Sequence, residues 1–169
     1  MAIEIRKGSL ADTEDFLELL HLAQDTMPHP EWFFLDPDDD VREMMACGSM
    51  QLWLAMDGDR VAGVFDYITP GLAPFNYGYD LGLAEEELLR VINMDSAAVH
   101  PEYRGQRLQQ RLMEAVQREI AAMGSRILLC TIHPDNVYSL NNALQQGYRI
   151  MDKREKYNSV RYFLRKDVP

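Results

Sequence analysis

The apolar positions of the chain change period repeatedly, and most changes are marked by a turn residue. Residues 2–6 (AIEIR) alternate apolar and polar, which predicts a short strand. After Ser9 the spacing becomes helical, through Leu10, Phe16, Leu17, Leu19, Leu20 and Ala23, and Ser9 with Asp12 reads as a capping box with Asp in the Glu place. Residues 26–37 (TMPHPEWFFLDP) hold three prolines and three large aromatics and predict an unusually apolar loop. Asp38, Asp39 and Asp40 then precede VREMMA, as a helix N-terminus favours. Residues 50–57 and 60–68 read as strands joined by an Asp57-Gly58 hairpin turn.

Farther on, residues 69–82 are rich in Gly, Pro and aromatics and read as a long loop, and residues 83–90 as a short helix. Residues 91–99 (VINMDSAAV) predict a mostly apolar strand. Residues 105–123 predict a long amphipathic helix with Leu108, Leu112, Val116 and Ile120 on one face, closed by Gly124. The apolar run 126–132 (RILLCTI) predicts a strand buried on both faces. Pro134 and Asp135 open a helix over 135–146 that Gly147 ends, and 148–154 with 160–166 form a last strand pair around Tyr157-Asn158-Ser159.

This order is β-α-α-β-β-(α)-β-α-β-α-β-β, without internal repeat, low-complexity tract or linker composition. It predicts a single α/β (α+β) domain over residues 1–169. The strand–helix–strand unit over 91–132 demands a right-handed crossover between two parallel strands.

Composition narrows the class. Hydrophobic residues make up 47% and charged residues 26%, a globular balance. The two cysteines, Cys47 and Cys130, are too few for a disulfide framework, and His21, His29, His100 and His133 show no metal-ligand spacing, so no metal is expected. The first residues lack an apolar signal region and no run approaches 18 apolar residues, so the expectation is a cytoplasmic protein without a membrane segment. The net charge of −10 divides unevenly: residues 1–90 carry 19 acidic and 5 basic side chains, residues 91–169 carry 8 and 12. Two surfaces with different ligands follow from that division, and a dominant basic face for nucleic acid does not.

The chemistry concentrates in residues 95–116 (DSAAVHPEYRGQRLQQRLMEAV). A strand ends at Val99 and a short turn leads directly into a helix, whose free N–H groups and positive dipole end suit an anion. Gly105 lets backbone approach a ligand, and Arg104, Arg107 and Arg111 add charge suited to phosphate. The same pattern also describes an ordinary strand–turn–helix with a solvated arginine face, and it is neither a P-loop nor a dinucleotide fingerprint.

At this point the sequence resembles the GCN5-related N-acetyltransferases. Arg104-Gly105-Gln106-Arg107-Leu108-Gln109 is similar to that family's motif A, Q/R-x-x-G-x-G/A, and Val99-His100-Pro101-Glu102-Tyr103 to its lead-in. Asn136-Val137-Tyr138-Ser139 with Gly147-Tyr148 resembles motif B. The resemblance implies a three-layer fold: a central mixed, mostly antiparallel sheet with one splayed parallel pair, and helices on both faces. It implies acetyl-CoA as co-substrate, in the cleft where strands 91–99 and 126–132 part. Main-chain groups of Ala97, Ala98 and Val99 would bond the pantetheine arm and thioester carbonyl. The N–H groups of Arg104, Gly105, Gln106, Arg107, Leu108 and Gln109 would hold the pyrophosphate, and Asn136, with Ser139 nearby, would bond the pantetheine arm. An amine would then attack the thioester directly.

Two departures stand out. Arg107 and Gln109 replace the usual small residues of motif A, and Ala143 replaces the tyrosine that often protonates the leaving thiolate. Asp95 is the candidate base, with a solvated or hydrogen-bonded strand residue as the alternative. The aromatics Trp32, Phe33, Phe34, Phe75, Tyr77 and Tyr79, with Glu31 and Asp80, are candidates for an acceptor pocket, or for loop packing or a homodimer contact. The expected activity is N-acetylation of a small, cationic amine. A CoA-binding regulatory module with weak or no turnover is the alternative, and an enzyme for a macromolecular acceptor a third.

Overall fold

The computed structural model describes residues 2–169. Seven strands are present: β1 (Glu4–Lys7), β2 (Met50–Asp57), β3 (Arg60–Ile68), β4 (Val91–Val99), β5 (Arg126–Ile132), β6 (Arg149–Lys156) and β7 (Ser159–Val168). They form one sheet in the order β1-β2-β3-β4-β5-β7-β6. β4 and β5 run parallel, with Val91, Ile92 and Asn93 opposite Ile127, Leu128 and Leu129. The pairs β1/β2, β2/β3, β5/β7 and β6/β7 are antiparallel. The helices are α1 (Thr13–Asp25), α2 (Asp38–Cys47), α3 (Tyr77–Asp80), α4 (Glu85–Leu88), α5 (Leu108–Ala121) and α6 (Val137–Gln145). This is the mixed sheet with one parallel pair that the element order demands. Among the described residues, no helix is long and apolar enough to cross a membrane.

Contacts gather the chain into two compact units, Met1–Ile68 with Asp95–Glu119, and Thr69–Met94 with Ile120–Pro169. In the first unit, Phe16, Leu17 and Leu20 of α1 and Val41 of α2 bury against Met50, Leu52 and Leu54 of β2 and Val64 and Ile68 of β3. These strand positions are all even-numbered, so they share one face. The odd positions look the other way: Tyr67 hydrogen-bonds Glu119 of α5, and a side chain placed on Gly63 would meet Leu112 of α5 at 3.3 Å. Helices therefore cover both faces of β2 and β3. Phe16 and Leu54 are fully buried, and truncating such a side chain to alanine costs about 3–5 kcal/mol. The predicted capping box is present: the Ser9 N–H donates to Asp12 Oδ2 at 2.7 Å. Arg6 grips the same carboxylate at 2.8 Å, and that hydrogen bond holds the Asp12 carboxyl down to about 2.

The second unit is centred on Tyr77, Val91, Ile127, Leu129 and Phe163. Its long loop, residues 69–82, is held by two buried asparagines standing in for backbone partners. Asn76 donates to Gly71 O at 2.8 Å and Leu88 O at 3.0 Å, and accepts from the Gly78 N–H at 2.7 Å as the cap of α3. Asn93 donates to Phe75 O at 3.0 Å and accepts from the Tyr77 N–H at 3.3 Å. The loop is thus ordered without extended regular structure.

Candidate active site

Four residues after β4, the chain makes the turn singled out in the sequence. Its lead-in is fixed by the β2–β3 hairpin. The His100 N–H donates to Ala62 O at 2.9 Å, and the Tyr103 hydroxyl donates to Asp57 Oδ2 at 2.6 Å. Arg60 pairs with Glu102 and lies over the Tyr103 ring, 5.4 Å from its centroid. The turn itself holds two left-handed residues, Gly105 at φ +83° and Arg107 at φ +56°. A Cβ on Gly105 would meet nothing within 4 Å, so conformation rather than space calls for glycine there. Arg107 adopts the same region without glycine's freedom.

The helix expected from residue 105 therefore begins only at Leu108, because two positive φ values interrupt the preceding turn. The Arg107 carbonyl accepts the Arg111 N–H at 3.0 Å, the first bond of the α5 ladder. The first N–H groups of α5 precede that bond in the ladder and point out of the helix end. Arg104, Gly105, Gln106 and Arg107 are exposed, Gln109 is half-buried, and Leu108 is buried. Arg104 contacts Thr26 Oγ1 at 3.4 Å. Arg111 is committed elsewhere, donating to Ile3 O at 2.9 Å. The turn thus offers main-chain donors and two exposed guanidinium groups, a cradle that fits a pyrophosphate.

On β4, Ser96 and Ala98 are buried whereas Asp95, Ala97 and Val99 are half-buried. The Ser96 hydroxyl donates to Asp95 Oδ2 at 3.3 Å. The Ser96 N–H, however, donates at 3.0 Å to a side chain, Asp66 Oδ1 of β3. Asp66 is fully buried, and its Oδ2 is reached by no protein N–H or O–H. Burial, and next the carboxylate of Asp95, push the Asp66 carboxyl well above the usual carboxylate range. A third carboxyl, Asp36, adds to that repulsion and is itself raised by burial and by Asp40. Sequence reasoning missed Asp66. Its signal was a lone charge inside the apolar strand run RVAGVFDYI.

The residues expected to act together thus lie consecutively in the first unit: Asp95, then Ala97, Ala98 and Val99, then Arg104 through Gln109. Asn136 and Ser139 belong to the second unit. There Asn136 caps α6, its Oδ1 accepting the Ser139 N–H at 3.4 Å, so its Nδ2 is the end it can offer a ligand. Ala143 is buried in α6, and Tyr138 lies 62% exposed on the same helix. Tyr148 is buried and its hydroxyl finds no hydrogen-bond partner. Cys130 is fully buried, which pushes its thiol up to about 12, so it is an inert core residue.

The aromatic candidates separate. Tyr77 is a core residue whose hydroxyl meets that of Tyr157 at 2.9 Å, and Phe33 packs on the core of the first unit. Trp32 stacks on His29 at 4.4 Å, while Phe34, Phe75 and Tyr79 are exposed. Tyr79 and Asp80 border a cavity of about 460 Å³ in the second unit, with Met151, Arg154 and Arg165 across it. Among the described residues, no three His, Cys, Asp or Glu side chains are grouped to hold a metal ion.

A mixed α/β sheet with one parallel pair, and a left-handed turn running off a strand of that pair into a long helix, defines a protein of the acetyltransferase type. The chain belongs to the Acetyltransferase (GNAT) family, whose sequence model matches residues 16–148. No curated protein matches it in sequence. Among solved structures it is similar to an N-acetyltransferase from Staphylococcus aureus Mu50, at TM-score 0.76 and 15% identity, covering all of both chains. It is similar to yncA from Salmonella typhimurium, solved with its cofactor acetyl-CoA, at TM-score 0.74 and 15% identity, covering 100% of this chain and 95% of that one. PaiA N-acetyltransferase from Thermoplasma acidophilum, in complex with coenzyme A, gives TM-score 0.66 at 14% identity over 98% and 99% of the two chains.

Proposed function

We propose that the chain is an acyl-CoA-dependent N-acyltransferase, moving acetyl from acetyl-CoA to a primary amine on a small cationic acceptor, with residues 1–169 acting as one catalytic domain. The observation that carries this reading is the turn: left-handed Gly105 and Arg107 shape the chain into the N-terminus of α5, a short way after β4 ends at Val99. Main-chain N–H groups of the segment Arg104 through Gln109 hold the pyrophosphate, although the Arg104 N–H also donates to Pro101 O at 3.5 Å. The Ala97, Ala98 and Val99 main chain bonds the pantetheine arm and polarises the thioester carbonyl. Acetyl-CoA supplies the acyl group on a thiolate that leaves readily. The protein's part is to orient the two substrates and to take a proton from the attacking amine, with Asp95 as the base. A cationic acceptor is favoured by charge, since the unit that carries Asp95 holds 19 acidic and 8 basic side chains, against 8 and 9 in the other.

The test is thiol release and product formation with acetyl-CoA and a panel of primary amines. Acceptor-dependent thiol release with an acetylated product is expected; no product beyond a boiled control overturns the reading. A second reading, a CoA-binding module with weak or no turnover, is favoured by the buried alanine at 143 and the exposure of Tyr138. Calorimetric binding of CoA without acceptor-dependent thiol release would select it, and absence of CoA binding would remove both.

A further inference from the structure

We propose that Asp66 is a positioning residue for Asp95: the two carboxyl groups share one proton, and the base that serves the amine is the pair rather than a single aspartate. This deepens the reading above and rests on Asp95 being the base. The geometry carries it. Asp66 is fully buried on β3, with one oxygen bound to the Ser96 N–H and the other reached by no donor. A buried carboxylate oxygen without a donor is costly as an anion in low dielectric, so at rest the pair keeps one proton. Ser96 joins the two carboxyl groups, its N–H donating to Asp66 Oδ1 at 3.0 Å and its hydroxyl to Asp95 Oδ2 at 3.3 Å, so a proton on Asp66 Oδ2 turns that oxygen into a donor beside Asp95. The charged groups that act on Asp66 are Asp95 from β4 and Asp36 from the segment before α2, both acidic, so each discourages a second negative charge. Asp95 is also only half-buried, so it is the member an amine can reach.

The pair then titrates as a unit, and its last proton is lost at a higher pH than that of an ordinary carboxyl. A base raised in this way is stronger than an ordinary carboxylate. The doubly ionised pair takes one proton from R–NH3+, leaving R–NH2 and a single proton held between Asp66 Oδ2 and Asp95. The nitrogen lone pair forms the C–N bond, the C–S bond breaks, and sulfur keeps that electron pair. The second proton lost by nitrogen neutralises the thiolate, and the pair returns its proton to solvent. The sum is R–NH3+ plus acetyl-S-CoA giving R–NH-acetyl, HS-CoA and H+.

Two measurements test this on the full chain. The first follows the Asp carboxyl carbons of 13Cγ-labelled protein by NMR against pH and needs no substrate. Asp66 and Asp95 are expected to share a two-step titration whose upper step lies above the ordinary carboxylate range, and Asp66→Asn to reduce Asp95 to one step at lower pH. Independent single-step titrations in the unmutated protein overturn the inference. The second is the pH profile of kcat/KM with acetyl-CoA and whichever panel amine is turned over. Asp66→Asn should move the acidic limb down by about one pH unit and lower the plateau about 10-fold, because Asp95 alone is a weaker base. A loss of rate with the limb unmoved means Asp66 only holds β4 in place, and the inference falls. Full activity of Asp95→Asn overturns the base assignment itself, and the positioning role with it, whatever the titration shows.

Discussion

Two regions built on β4 use opposite physics. At its end, the turn from Arg104 to Arg107 is exposed and basic, and what it presents is main chain held by two left-handed residues. Near its middle, Asp95 meets a carboxyl that is buried, acidic and short of a hydrogen-bond donor. On the proposed reading, function that resides in N–H groups survives changes of side chain, so Arg107 and Gln109 can stand where the family has small residues. Function that resides in a carboxyl pair does not survive them. The turn should therefore be sensitive to backbone substitutions and the pair to side-chain ones.

The largest effect should come from the pair. Asp95→Asn keeps the shape and removes the proposed base, so kcat should fall by about 10²–10⁴-fold while the Kd for CoA, measured by calorimetry, stays within about twofold. An equal loss of CoA affinity would mean the two regions are not separable.

At the turn the ranking should reverse, with the backbone substitution outweighing the charge substitution. Proline at 105 is locked near φ −65° where the chain needs +83°, so Gly105→Pro should weaken CoA binding by about 10-fold or more. Arg104→Ala, which deletes an exposed charge and leaves every N–H in place, should cost only about threefold. If Arg104→Ala proves the worse of the two, the site is a side-chain site and the comparison fails.

The two regions were also unequally legible. Strands 50–57, 60–68, 91–99 and 126–132 could be placed to the residue, because alternation and apolar runs report burial directly. The start of α5 was misplaced by three residues: Gly105 is a visible turn signal, but Arg107 is a good helix former whose left-handed backbone leaves no mark in the sequence. The short helix at 77–80 was unreadable because its order comes from Asn76 and from Asn93, sixteen residues beyond Tyr77. Asp66 was visible as a charge in an apolar strand, but its meeting with Asp95 depends on how β3 and β4 come together. A charge total was misleading too. The arginines of the turn belong to the same compact unit as most of the acids, so the acidic and basic halves of the sequence are not two halves of the structure.

A third test sets two aspartates of the first unit against each other. Asp12, gripped by Arg6, is held at about 2 from an ordinary 3.8, whereas burial and Asp95 drive Asp66 upward. A depressed carboxyl stabilises the fold above its unfolded value, and that contribution is lost as pH falls from about 4 through about 2. With Arg6 partly exposed, its size should be about 1 kcal/mol at pH 7. Urea midpoints for Asp12→Asn should therefore lie below those of the parent at pH 7 and converge with them by about pH 2. A raised carboxyl acts in the opposite direction, its ionisation opposing folding as pH rises through the folded value. Asp66→Asn should thus gain relative stability as pH climbs. Parallel pH trends for the two variants would show that their environments are not opposed.

The smallest expected effect is the sharpest probe of the turn. Arg107 is at φ +56°, where an L side chain costs about 1 kcal/mol through the approach of Cβ to the following carbonyl oxygen. Arg107→Gly removes that strain but loosens the unfolded chain, which offsets part of the gain, so the net stabilisation should be about 0.5 kcal/mol by urea unfolding. Arg107→Ala deletes the same guanidinium and keeps the strain. If the turn binds through its main chain, both variants should hold CoA within about threefold of the parent and only the glycine should be more stable. If both lose affinity together, the arginine side chain touches the phosphate and the substitution in motif A adds a contact. If only glycine loses affinity, the strained arginine is what keeps the N–H groups aimed, and its stability cost is tied to binding.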